Sequence, residues 1–199
     1  AYRGAIETAP QSAAAARAEL QALPSVDEAA KAIPRGTAQD LQKDIESRRA
    51  ALSELKDELS KTAGQLVRVE GRPAAISVRL PEAQRELLEV REELESLGIP
   101  QDVTSSGRLA DRVVLQAQQA RLLSELDMMK QEQLSQAVRE DLLQAQHKLL
   151  TRRVENAAAA LATLDALLRQ RLASDVDRIK SLAETLSKDV PNGDQAAQT

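Results

Sequence analysis

Apolar positions recur along this chain at helical spacing. Ile76, Leu80, Ala83, Leu87, Val90, Leu94 and Leu97 alternate steps of 4 and 3 without a fault. That is the seam of a coiled coil. Pro81 lies inside the run. The register passes through it, so the spacing predicts one helix bent locally by the proline ring. Upstream, Ile45, Leu52, Leu55, Leu59 and Leu66 follow steps of 7, 3, 4 and 7. They predict a helix starting near Thr37, with Asp40 as an anion in its first turn. Gly71 and Pro73 mark an end or a kink. Residues 37–97 therefore read as a helical hairpin or a bent long helix.

Residues 1–35 read as an N-terminal helical segment. An Ala-rich helix over about 2–22 is interrupted at Pro10 and closed by Pro24. Ser25 with Glu28 has the form of a capping box for a short helix ending before Pro34. Residues 98–107 are a linker rich in Ser, Thr, Gly and Pro, opened by Gly98, Ile99 and Pro100 as a left-handed cap with a proline stop. Coiled-coil helices are expected over 108–189. The first carries Leu115, Leu122, Leu126 and Met129 on one face. Around Glu132–Gln136 the pattern shifts phase, which admits a hairpin turn, although no Gly or Pro stands there. The last helix, over about 136–189, has the stripe Val154, Ala157, Leu161, Leu164, Leu168, Leu172, Val176 and Ile179. Its run of fours is a stutter that relaxes supercoiling. A helix of that length reaches roughly 80 Å. A disordered tail is expected over 190–199.

Composition narrows the fold further. Among 199 residues Tyr2 is the only aromatic, and there is no Phe, Trp or Cys. Without large rings, a core built from Ala, Leu, Val and Ile suits thin bundles better than a sphere. The expected fold is all-α: long amphipathic helices packed as an elongated antiparallel coiled coil or helical bundle. The 27 basic and 31 acidic residues are interspersed and sum to a net charge of −4. That leaves neither a basic stripe nor a stacking platform for nucleic acid. No apolar run approaches the roughly 20 residues that span a bilayer. The chain itself reads as a soluble fragment, since it starts at Ala1 without an initiator Met.

Candidate chemistry is sparse. His147 is the single histidine, flanked at helical spacing by Gln144 and Thr151 rather than by ligands. Glu92, Glu93 and Glu95 crowd together, but Arg85 and Arg91 accompany them, as on a solvated face. Met128 and Met129 are adjacent and cannot share a helical face. No nucleophile–base pair or phosphate-binding glycine loop is present. The expectation is no enzyme, with no catalytic, cofactor-binding or metal residues and no small-molecule substrate. The small residues Ala157–Ala160 suit close helix packing within the chain or, alternatively, a subunit contact.

From about Leu41 to Arg171 the chain resembles the periplasmic N-terminal helical domain, or MscS porin domain, of large MscS-like mechanosensitive channels of the MscK and MscM type. The features that carry the resemblance are the Leu52–Leu66 helix followed by Arg72–Pro73, the Ala-Gln-Arg-rich stretch Glu82–Leu97, the Gln-Ala-Leu-rich stretch Arg108–Leu126, and Asp141–Arg153. In that last segment Gln146–His147 replaces an Arg pair, and a second Arg pair is displaced to Arg152 and Arg153. Pro81 also departs from the family pattern. The resemblance implies a non-catalytic periplasmic domain ahead of membrane helices in an inner-membrane channel. Such a channel is a homo-oligomer, a heptamer, that releases solutes on osmotic shock, with envelope contacts open to this part. The alternative is a coiled-coil adaptor, of the efflux membrane-fusion hairpin or spectrin-like kind, that mediates protein–protein contacts. Pro34, Pro73, Pro81 and Pro100 read as too many breaks for one clean hairpin.

Overall fold

A computed structural model describes residues 2–31, 36–97 and 106–189. The elements are α1 (Tyr2–Ala22), α2 (Val26–Lys31), α3 (Ala38–Ser96) and α4 (Ser106–Asp189). No strand occurs among the described residues, so the chain is all-α. Most of the expected linker over 98–107, the Pro34–Arg35 step and the tail over 190–199 lie outside the described residues.

Two helix starts are capped reciprocally. The Ser25 backbone N–H donates to Glu28 Oε2 at 2.8 Å, and the Glu28 N–H returns to Ser25 Oγ at 3.3 Å. Thr37 and Asp40 do the same at the start of α3, at 3.1 and 3.2 Å. Each box satisfies donors that a helix N-terminus otherwise leaves unpaired. Both boxes hold their carboxylates below the usual carboxylate range. For Glu28 the Ser25 backbone N–H is the main cause, and for Asp40 it is the Thr37 hydroxyl.

The chain divides into two compact units. The first joins residues 1–21 with 59–149. Its core sets Ile76, Ala83 and Leu87 of α3 against Leu122, Leu126 and Met129 of α4, with Leu80 and Val90 packed on them. These are the two stripes legible in the sequence. The helices run antiparallel: Arg72 meets Glu132, and seven residues later Arg79 meets Glu125, seven residues earlier. α1 buries Ala9, Ala13 and Ala16 at steps of 4 and 3. Small side chains at that spacing permit close helix approach. The second unit joins residues 22–58 with 150–199. Leu41 and Ile45 of α3 pack with Leu164 of α4, flanked by Leu161, Leu167 and Leu168. Arg49 pairs with Asp165 at 3.1 Å, and Asn156 Nδ2 donates to the Pro24 carbonyl at 3.0 Å.

Of the two alternatives for residues 37–97 the long helix is the one observed, and one helix takes the place of the several expected over 108–189. α3 is a single helix through both Pro73 and Pro81, so no turn divides residues 38–96 and those prolines break no hairpin. α4 is likewise continuous through Glu132–Gln136, where a turn was admitted. The phase shift has another origin, and it explains how α3 passes Pro73. A proline at 73 leaves the carbonyl of Val69, four residues back, without its helical donor. Val69 is buried, so water is a poor substitute. Gln136 Nε2 of α4 donates to that carbonyl at 2.7 Å. The carbonyls orphaned by Pro10 and Pro81 belong to Ile6 and Ser77, which are exposed and open to solvent.

Candidate functional site

Two polar groupings interrupt the apolar seam of the first unit. In the first, Arg79 is the hub. Its Nε and Nη2 grip Glu125 of α4 at 2.7 and 3.2 Å, while Nη1 and Nη2 grip Glu86 of its own helix at 2.6 and 3.1 Å. Glu82 adds a longer contact at 3.7 Å. Two forked carboxylates on one guanidinium fix both rotation and axial register. Hydrogen bonding from Arg79 is the main reason that Glu86 and Glu125 sit below the usual carboxylate range. The same bonds, that to Glu86 first, raise the Arg79 guanidinium above its ordinary value.

The second grouping is deeper. Glu132 is 4% exposed and Ser135 fully buried. Arg72 Nε donates to Glu132 Oε1 at 3.0 Å, and Arg139 Nη1 stands 4.0 Å from the same oxygen. Arg72 is raised above the ordinary arginine value, mainly by that hydrogen bond to Glu132. Ser135 Oγ donates to the Glu132 carbonyl at 3.1 Å. One turn on, Gln136 makes its bond to Val69. The Arg139 guanidinium also lies 5.2 Å from the centre of the Tyr2 ring, a cation–π contact that ties α1 to the grouping. Arg17 of α1 pairs with Asp141 close by in sequence. Beside this junction is a cleft of about 370 Å³, lined by Ala5, Thr8 and Ala9 of α1, Gln65, Arg68 and Val69 of α3, and Arg139, Leu142 and Leu143 of α4.

Chemically, these groupings hold helices together. Glu86 and Glu125, gripped by the Arg79 guanidinium, are poor bases, because proton uptake breaks their strongest contacts. Glu92, Glu93 and Glu95 are exposed on α3. Met129 is buried in the first core and Met128 is exposed, so the pair does face opposite ways. Ala160 is buried and Asn156, just before the Ala run, bonds to Pro24, so that stretch is used at least in part inside the chain. His147 stands half-buried in α4. Among the described residues no three acidic or histidine side chains converge as a metal site would require, and no helix is long and apolar enough to cross a membrane.

Sequence spacing gives Arg79 and Glu125 no role, and marks Glu132 and Gln136 only as the bounds of a phase shift. One usable signal was the lost phase at Glu132–Gln136. The other was Pro73, which guarantees an orphaned carbonyl at Val69. Neither names its partner until the α3–α4 register is known. No curated protein and no solved structure matches the chain. A protein-family profile does: the one described as the mechanosensitive ion channel porin domain matches residues 1–193.

Proposed function

Because the chain belongs to the mechanosensitive ion channel porin domain family, we propose that it is the non-catalytic periplasmic part of an inner-membrane channel that protects cells against osmotic shock. The family match over residues 1–193 is the observation that carries this reading. Its channel would be a homo-oligomer, a heptamer, with this domain preceding the membrane helices and open to envelope contacts.

What the domain contributes is mechanical. The seam between α3 and α4 in the first unit resists sliding, because any axial shift separates Arg72 from Glu132 and Arg79 from Glu125 together. Such a pair of helices passes on a displacement rather than absorbing it. Copies arranged as a crown around the pore axis would bias opening through that stiffness. The same antiparallel seam would also serve a hairpin adaptor, and family membership is what favours the channel. The chain has no cysteine, so a single exposed one tests placement. Ser174→Cys in a parent protein otherwise freed of cysteine should react with a membrane-impermeant thiol reagent in intact cells. Labelling that appears only after lysis would contradict the periplasmic reading.

A further inference from the structure

The stripe of α4 outruns its partner. Leu167 and Leu168 still pack on the second core. At the start of α3, Gly36, Thr37, Ala38 and Asp40 share a cleft of about 520 Å³ with Arg171 and Asp175 of α4. α3 therefore begins level with that turn of α4. From that turn onward, Leu172, Val176, Ile179, Leu182 and Leu186 are between 49% and 67% exposed. Every residue over 171–187 is exposed, so among the described residues nothing covers this face.

The face has an order that scattered surface aliphatics lack. Leu172, Val176, Ile179, Ala183 and Leu186 follow steps of 4, 3, 4 and 3, the seam of a coiled coil. With Leu172, Ile179 and Leu186 as d positions, Val176 and Ala183 are a positions. Asp175 is then a g position and Lys180 the e position five residues on. Side-by-side parallel helices bring each g residue to the e residue five positions along the neighbour, so Asp175 meets Lys180 of a second copy. Antiparallel pairing sets g against g and e against e, which never joins these two charges.

We infer that residues 172–186 are a self-association surface, on which a second copy of this chain lays the same segment in parallel and in register. The assignment deepens the oligomeric reading above and rests on it. Rotational symmetry about an axis along these helices keeps like ends together, as parallel pairing requires.

The full 199-residue chain, which has no cysteine of its own, tests the inference by mild oxidation. Ile179→Cys places a thiol at the seam and Arg178→Cys places one beside it on the outer face. Covalent dimer should form severalfold faster for I179C than for R178C. Adding Asp175→Lys to I179C should slow the reaction, and adding Lys180→Asp to that variant should restore it. Circular dichroism of each variant should be unchanged, since all four positions are exposed. Equal rates at 178 and 179, a monomeric I179C, or no rescue by the charge swap would each overturn the contact. The channel reading is tested separately by the cell labelling above, so the two can fail independently.

Discussion

Glu132 is a buried carboxylate in a seam built mainly from aliphatic side chains and Met129. Burying such a charge is costly unless it is paired, and Arg72 and Arg139 approach the same oxygen. Four residues on, Gln136 replaces the donor that Pro73 removes. This dependence is measurable. Gln136→Ala should destabilise the fold by about 1–3 kcal/mol, the cost of an unpaired buried carbonyl. Pro73→Ala restores the natural donor for Val69, so Gln136→Ala should cost distinctly less in that background. Urea unfolding of the four chains gives the coupling, and strictly additive effects would show that Gln136 does not serve that carbonyl. Acid is the second probe at this scale. Glu28, Asp40, Glu86 and Glu125 all have folded values below their ordinary ones. The unfolded chain therefore takes up protons first. The stability these groups supply is complete above the ordinary values of 4.5 for Glu and 3.8 for Asp, and is lost as pH falls through the depressed ones. The urea midpoint should fall over that window, less steeply in Arg79→Met, which frees Glu86 and Glu125. A midpoint independent of pH there would contradict the ion-pair hub.

At the scale of elements, the heptads were legible because core burial imposes them directly. Ile76 through Val90 and Leu122 through Met129 form the first core as spaced. The Ser25–Glu28 box was legible for the same local reason: both partners lie within one turn. The continuous course of α3 was legible at Pro81, where the register runs through, but stayed open at Pro73, and that of α4 stayed open at Glu132–Gln136. Pro73 reads as a breaker until a side chain from another helix replaces its donor, and the phase shift at Glu132–Gln136 reads as a turn until Arg72 and Val69 are found opposite. α4 also holds a contrast that sequence spacing hides. Leu164 and Leu172 belong to one stripe, yet Leu164 is fully buried and Leu172 half-exposed. Leu164→Ala should cost about 2–5 kcal/mol, as emptied core positions do. Leu172→Ala should stay within about 0.5 kcal/mol at dilute concentration, where copies are apart. Similar losses at both positions in thermal or urea unfolding would place the edge of the second core wrongly.

At the scale of the whole chain, composition was the strongest guide. Almost no aromatics, no cysteine and balanced charge left helices packed on thin aliphatic seams. Order along the chain was a weaker guide to assembly. α1 and α2 are neighbours in sequence, yet they fold into different units, because their partners come from opposite ends of α3 and α4. The candidate site was not legible in the sequence. Its positive content, the guanidinium–carboxylate groupings, depends on a register that sequence spacing does not give. The role proposed for this channel-family domain is mechanical, acting on gating. The most direct test is the membrane tension needed to open the parent channel in excised patches, with and without residues 1–199. The truncated channel should still conduct but open at a shifted tension. An unchanged threshold, together with unchanged oligomer assembly, would contradict the mechanical role.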